Sequence, residues 1–241
     1  MTEKLSTDPV FRDIEENYRR ITETIADASV RSGRTPADVR FMAVTKTVQP
    51  IFINHALSLG VGLIGENKVQ ELLSKLDSLH PADVEKHLIG HLQTNKVAKI
   101  LPHVSMIQSV DSLHLAEAID RESEKRGVRT DILLEVNIGG EDSKTGFPFD
   151  GFEENVCRIA SLPSVRVRGI MTIPPFCEKK EDSRRFFCKA YKLFIDIKGK
   201  NIDNISMDTL SMGMSSDYEE AILEGATLVR VGSSLFGGRR Y

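Results

Sequence analysis

Short apolar runs alternate with stretches of helical periodicity along this chain from residue 40 onward. Runs at 40–45, 61–65, 87–90, 104–109, 131–137, 166–172, 205–210 and 227–232 read as eight buried strands, being only a few residues long and apolar with β-branched enrichment. Between them, helical patterns are predicted at 51–59, 67–76, 95–101, 112–126, 152–160, 180–198 and 218–224. The second is the clearest, with Val69, Leu72, Leu73 and Leu76 on one face. Thr94 and Asp111 are placed as N-caps, and Ser216 with Glu219 as a capping box. Ahead of the first strand, Ile14, Tyr18, Ile21, Ile25 and Ala28 recur at helical spacing across 8–30, with Pro9 in the first turn and Ser32-Gly33 as the stop. Its polar face mixes acidic with basic residues, which argues against a membrane-surface helix.

Eight strand–helix alternations predict a closed parallel (β/α)8 barrel of the TIM type, preceded by one extra helix. The length of 241 residues suits one such barrel, for which ~250 is typical. A doubly wound open sheet is the alternative, but no strand is followed by GxGxxG. With no linker, repeat or biased tract, residues 1–241 are expected to form one domain, with 1–35 packed on the barrel.

Composition narrows the function classes. A hydrophobic fraction of 40% supplies a core, and a net charge of −3 with scattered Lys and Arg speaks against nucleic acid as a partner. Cys157, Cys177 and Cys188 form no CxxC and are odd in number, so neither a disulfide framework nor a zinc site is indicated. No run reaches the ~18 apolar residues of a membrane span, and the start Met-Thr-Glu-Lys lacks an apolar leader. A cytoplasmic protein without membrane partners is the expectation. His87 and His91 are four apart but flank a strand, where extended geometry separates them by about 13 Å, too far for one ion. The mixed run at 178–185 reads as a solvated helix start, and no role attaches to the terminal Tyr241.

The chemistry centres on Lys46, at the exit of the first strand. A lysine there is costly to bury charged, and a neutral amine held in place is a nucleophile toward carbonyl carbon. The alternative is a stem that leaves the strand end for solvent. Such barrels carry their sites at the C-terminal ends of the strands, with phosphate commonly bound after strands seven and eight. Here those loops are Ser211-Met212-Gly213-Met214-Ser215-Ser216-Asp217 and Val231-Gly232-Ser233-Ser234. Glycines allow close backbone approach and serines add donors. Arg230 interrupts the apolar eighth strand and faces opposite to Val229 and Val231, so its guanidinium needs a partner. That partner is either an ion-pairing carboxylate, Asp208 or Glu135, or a ligand's ring nitrogen or phosphate. An amine on strand one and an anion cup on strands seven and eight would surround one small ligand. A phosphorylated aldehyde fits, pyridoxal phosphate above all.

The chain closely resembles the YggS/PROSC family of pyridoxal phosphate homeostasis proteins, related in fold to the barrel of bacterial alanine racemase. The resemblance runs through Ala43-Val44-Thr45-Lys46-Thr47, Gly65-Glu66-Asn67-Lys68-Val69-Gln70-Glu71 and Ile89-Gly90-His91-Leu92-Gln93-Thr94-Asn95-Lys96. It continues in Lys144-Thr145-Gly146-Phe147, Arg168-Gly169-Ile170-Met171-Thr172, Leu210 to Asp217 and Val229 to Gly237. It implies that Lys46 carries pyridoxal phosphate as an aldimine. By the same resemblance Ser211, Ser215, Gly232 and Ser233 would hold the phosphate, Arg230 would lie near the ring nitrogen or phosphate, and Asn67 and His91 would line the pocket; Gly213 is counted among the cofactor-binding residues. An arginine at the ring nitrogen weakens the cofactor as an electron sink, which suits a holder and distributor of cofactor. Apo forms of pyridoxal-phosphate enzymes would then be the recipients, and a monomer is expected. The competing enzyme reading is an amino-acid racemase. In the related racemase a second base comes from an additional β-rich domain of the partner subunit, and this chain is expected not to supply it. A Schiff-base aldolase and a non-covalent phosphate-ligand module are the remaining alternatives.

Overall fold

The computed structural model describes residues 9–141 and 144–238. Nine parallel strands follow one another: β1 (Arg40–Val44), β2 (Leu63–Glu66), β3 (Glu85–Leu88), β4 (Met106–Val110), β5 (Thr130–Asn137), β6 (Phe147–Pro148), β7 (Val165–Thr172), β8 (Ile205–Met214) and β9 (Leu228–Val231). Neighbours pair in the order β1-β2-β3-β4-β5-β7-β8-β9, and β9 returns to β1 through Arg40↔Leu228 to Ala43↔Val231. Eight strands therefore close a barrel, and the two-residue β6 lies outside it, against the end of β5. The helices are α1 (Pro9–Arg31), α2 (Pro50–Ser58), α3 (Val69–Lys75), α4 (Val97–Ile100), α5 (Leu113–Lys125), α6 (Phe152–Ala160), α7 (Arg184–Gly199), α8 (Tyr218–Leu223) and α9 (Ser233–Phe236). None is long and apolar enough to cross a membrane.

Alternation along each strand divides its side chains between two environments. Ala43, Ile64, Leu88, Ile107, Ile132, Leu134, Ile170, Leu210, Val229 and Val231 join one large apolar core between strands and helices. The opposite face looks into the barrel, where among the described residues two small apolar clusters form: Met42, Leu63 and Leu228, and Met106, Leu133 and Met171. Gly65 is needed in that interior, because a Cβ there would sit 2.3 Å from Met42 Sδ. Gly90 likewise allows the ends of β2 and β3 to meet, since a Cβ would come within 2.3 Å of the Asn67 carbonyl oxygen.

The extra helix covers the closure between β9 and β1. Ile14, Ile21, Ile25 and Ala28 of the predicted stripe are buried in α1, Tyr18 is partly buried, and Phe11 extends the stripe toward the N-terminus. The Phe11 ring packs 4.7 Å from that of His55, and Asn17 Nδ2 donates to the Leu235 carbonyl at 3.1 Å, tying α1 to α2 and α9.

Several predicted boundaries move, for local reasons. The seventh barrel strand is expected to stop at Leu210 but continues to Met214, with a register shift between Ser211 and Met214 that absorbs the serine and glycine. The segment 95–101 holds only one α-helical turn, flanked by 3-10 turns, and its N-cap position is taken by Gln93, not Thr94. Ser112, not Asp111, caps α5, accepting from the Leu115 amide. Asp217 takes the N-cap position of α8, and its carboxylate accepts from the Met214 amide in place of the expected Ser216–Glu219 box. Tyr241 lies outside the described residues.

Candidate functional site

The C-terminal ends of β1 and β9 are adjacent because those strands pair, and a cleft of about 410 Å³ opens there. Lys46, Thr47, Gly232 and Ser233 line its polar side; Val10 of α1, Phe52 of α2 and Phe236 of α9 line its apolar side. Lys46 is half-buried and has no hydrogen bond or ion pair among the described residues. Both candidate halves of a ligand site, the amine and the Gly-Ser turn, thus face one volume.

The peptide carrying Lys46 is held from below. Lys75 of α3 reaches under the loop and donates to the Thr45 carbonyl at 2.8 Å, to Glu66 Oε1 at 2.7 Å and to Glu71 Oε1 at 2.7 Å. Glu71 in turn accepts from the Thr47 amide. Thr47 has φ of +62°, a conformation that costs a β-branched residue energy and persists only where neighbours enforce it. Both residues flanking Lys46 are therefore pinned by one buried cation and its carboxylates. Burial raises the Glu66 pKa to about 7, against the pull of Lys75.

Across the cleft, Ser215 joins the two loops predicted to form an anion cup. Its Oγ accepts from the Gly232 amide at 3.1 Å and the Ser234 amide at 3.2 Å, and Ser234 Oγ donates to the Ser215 carbonyl at 3.1 Å. Two amides converging on one oxygen suit a phosphate oxygen equally well. Gly232 is close to β1, where a Cβ would meet Val44 Cβ at 3.2 Å.

Arg230 lies inside the barrel, 4% exposed, with Val229 and Val231 in the outer core as the alternation predicts. Its Nη1 donates to Ser211 Oγ at 2.6 Å and its Nη2 to the Thr172 carbonyl at 2.9 Å. Of the two carboxylates considered as partners, Asp208 pairs instead with Arg168 at 2.7 Å. Glu135 acts on Arg230 through its charge, as does Asp217. Burial lowers the Arg230 pKa to about 10, with Glu135 and Asp217 opposing the change, so the group stays cationic at neutral pH. Burial also raises the Glu135 and Asp217 pKa values.

The remaining sequence-predicted residues fall in different places. Ser211 does not face the cleft: it is fully buried in the barrel interior, between Arg230 and Gln108. Gly213, with φ of +86°, serves packing, since a Cβ would sit 2.5 Å from Ala221 Cβ of α8. Asn67 is half-buried at the end of β2, and its amide donates to Glu66 Oε2 at 3.3 Å. His91 stands exposed at the mouth beyond β3, its Nδ1 2.8 Å from Asp111 Oδ2. His87, by contrast, is enclosed in the barrel. Residues not anticipated from the sequence are Lys75, Glu66 and Glu71 under the lysine loop and Gln108 in the interior. Gln108 had a legible signal, a polar pair Gln-Ser within an otherwise apolar strand. Lys75 carries no such signal, because a lysine in the last turn of a helix is common.

The chain is similar to known proteins over nearly its whole length. The family described as alanine racemase, N-terminal domain, matches residues 13–240. A pyridoxal phosphate homeostasis protein of Aquifex aeolicus is 41% identical over 226 residues, covering 94% of this chain and 98% of the relative. Among solved structures, an unknown protein from Bifidobacterium adolescentis superposes with a TM-score of 0.89 at 36% identity, covering 95% of this chain and 96% of that one. PipY of Synechococcus elongatus PCC7942, solved with PLP bound, gives 0.77 at 33% identity over 88% of this chain and all of its own. A barrel closed at an amine-bearing loop and a Gly-Ser turn, with relatives matched over nearly their whole length, places this chain in the pyridoxal phosphate homeostasis protein family, built on the N-terminal domain of alanine racemase.

Proposed function

We propose that the protein binds pyridoxal phosphate through Lys46 and acts in keeping and handing on that cofactor within the cell. The observation that carries this reading is that Lys46, Gly232 and Ser233 line one cleft, with Ser215 bonded to the Gly232 amide. The residues present fit the group: a half-buried amine with free access to the cleft, two convergent amides for an anion, and a buried cation, Arg230, beneath. When bound, the cofactor would supply an aldehyde, and Lys46 would be the residue whose amine holds it. The pinned flanks of Lys46 hold the amine in place, so little order has to be gained on binding. Arg230 offers only donors, so it cannot accept from a protonated pyridine nitrogen; a ring against it is kept unprotonated and draws electrons weakly. That favours custody of the cofactor over amino-acid chemistry. The PLP-bound relative PipY supports the assignment.

The test uses purified protein mixed with pyridoxal phosphate. A new visible band, and a pyridoxyl adduct on the Lys46 peptide after borohydride reduction, are expected. Subsequent incubation with an apo-enzyme should restore that enzyme's activity and reduce the band. Absence of any band at cofactor excess would overturn the reading, whereas steady inversion of free alanine would replace it with a racemase.

A further inference from the structure

A continuous hydrogen-bonded chain crosses the barrel interior from Arg230 to the opposite end. Arg230 Nη1 donates to Ser211 Oγ at 2.6 Å, Ser211 Oγ donates to Gln108 Oε1 at 2.7 Å, Gln108 Nε2 meets His87 Nδ1 at 2.8 Å, and His87 Nε2 meets Glu85 Oε1 at 2.8 Å. Glu85 closes the line near the surface against Arg40 of β1. Gln108 and Ser211 are completely buried and His87 is 1% exposed, so the line is sealed from bulk solvent.

The polarity of this chain follows from its first member. A guanidinium only donates, so Ser211 must accept from it. The single hydroxyl hydrogen of Ser211 then goes to Gln108, whose carbonyl oxygen must face it. The amide nitrogen of Gln108 is left pointing at His87, whose Nδ1 must accept. The imidazole is thereby fixed as the neutral tautomer with its proton on Nε2, donated to Glu85. Protonation of Nδ1 would set two donors face to face. Relief by an amide flip would turn the Gln108 nitrogen toward Ser211, whose oxygen can take both donors but whose hydroxyl hydrogen would lose its acceptor, so the flip disturbs the partner that holds Arg230.

We propose that His87 and Gln108 are positioning residues for Arg230: through Ser211 they fix where the guanidinium sits inside the barrel, and the protonation state of His87 is coupled to that position. The link to cofactor affinity rests on the function proposed above; the coupling within the barrel does not. The charges facing His87 are Glu85 on its own strand, Arg40 from β1 and Asp131 from β5, with the neutral Gln108 from β4. Asp131 is itself paired with Arg166 and Arg168. Burial lowers the His87 pKa below its ordinary value, while Glu85 opposes that, so the neutral tautomer prevails at neutral pH.

The experiment is nitrogen-detected NMR of the ligand-free full chain across an acid titration. His87 should show a bare Nδ1 and a protonated Nε2 at neutral pH. The Arg230 side-chain signals should move with the same midpoint as the His87 ring. Arg230 signals that stay still while His87 titrates, or a His87 protonated on Nδ1 at neutral pH, would overturn the proposal. The variant Gln108→Met, close in volume but unable to bridge, should shift the Arg230 signals with an unchanged far-ultraviolet CD spectrum. It should also weaken pyridoxal phosphate binding about tenfold, whereas Ser211→Thr, which keeps the hydroxyl, should retain most of the affinity. Unmoved Arg230 signals in a folded Gln108→Met protein would refute the coupling. Wild-type protein that shows the NMR coupling but binds no pyridoxal phosphate would refute the cofactor assignment alone.

Discussion

The two faces of the same eight strands follow opposite rules. Outward, toward the helices, one large apolar core runs from β1 to β9, with the buried Lys75–Glu66 pair at its edge under the lysine loop. Inward, two three-residue apolar clusters leave room for Arg230, Ser211, Gln108, His87 and Glu135, all buried. The outer face can tolerate loss of one contact at a cost in stability alone. The inner face spends stability on order, because each of its polar groups has to be matched by another. The lesson is that stability and ligand chemistry are separable along a single strand by residue parity.

That separation can be broken in graded steps. Lys46→Ala should abolish the visible cofactor band altogether while leaving the far-ultraviolet CD spectrum and the urea midpoint unchanged; a lost fold would merge the two roles. Ile132→Ala, on the outer face and fully buried, should cost about 3–4 kcal/mol in urea denaturation and leave cofactor affinity within a factor of two. Lys75→Met removes the cation under the lysine loop and should cost about 3 kcal/mol, because two carboxylates lose their partner. Unlike the Ile132 change it should also weaken cofactor binding, since Thr45 and Thr47 are released. Arg230→Gln should loosen retention of pyridoxal phosphate about tenfold, read by equilibrium dialysis, and equal affinity would remove Arg230 from the site.

The smallest effect concerns pH. Glu66 has a pKa raised to about 7 by burial, so between its ordinary value near 4.5 and about 7 the folded chain holds a proton that the unfolded chain lacks. Its contribution to stability is complete below pH 4.5 and is lost as pH rises through about 7. His87 runs the other way: its pKa is lowered, so its contribution is present above 6.5 and is lost as pH falls below it. Glu66→Gln should therefore flatten the decline toward neutral pH in urea midpoints, and an unchanged slope would show that Glu66 carries its charge in the fold.

Much of this was legible from spacing. The strand beginning at Arg40, the alternation that turns Arg230 inward and the buried stripe of α1 follow from apolar periodicity alone. What was not legible shares a cause. Ser211 and Gly213 have the composition of a turn, yet a bulge between β8 and β9 keeps them in the strand, and only pairing geometry reveals that. The structure gives Ser211 a place beside Arg230 and Gly213 a place against α8. Lys75 and Glu66 come together from an α-helix and a strand end nine residues apart, a meeting that no local pattern announces. His87 was weighed for metal on spacing, whereas its surroundings are set by Gln108 on the neighbouring strand.

The first helix bears a consequence of its own. Val10 furnishes one wall of the cleft, and Asn17 is latched to the carbonyl of Leu235 in the segment that follows Gly232. A chain begun after residue 31 would keep every barrel strand and every polar ligand-facing group, yet would stand with its pocket unroofed on one flank. The helix outside the eightfold count is in that sense a gusset, bracing from the exterior the seam at which the ring is fastened.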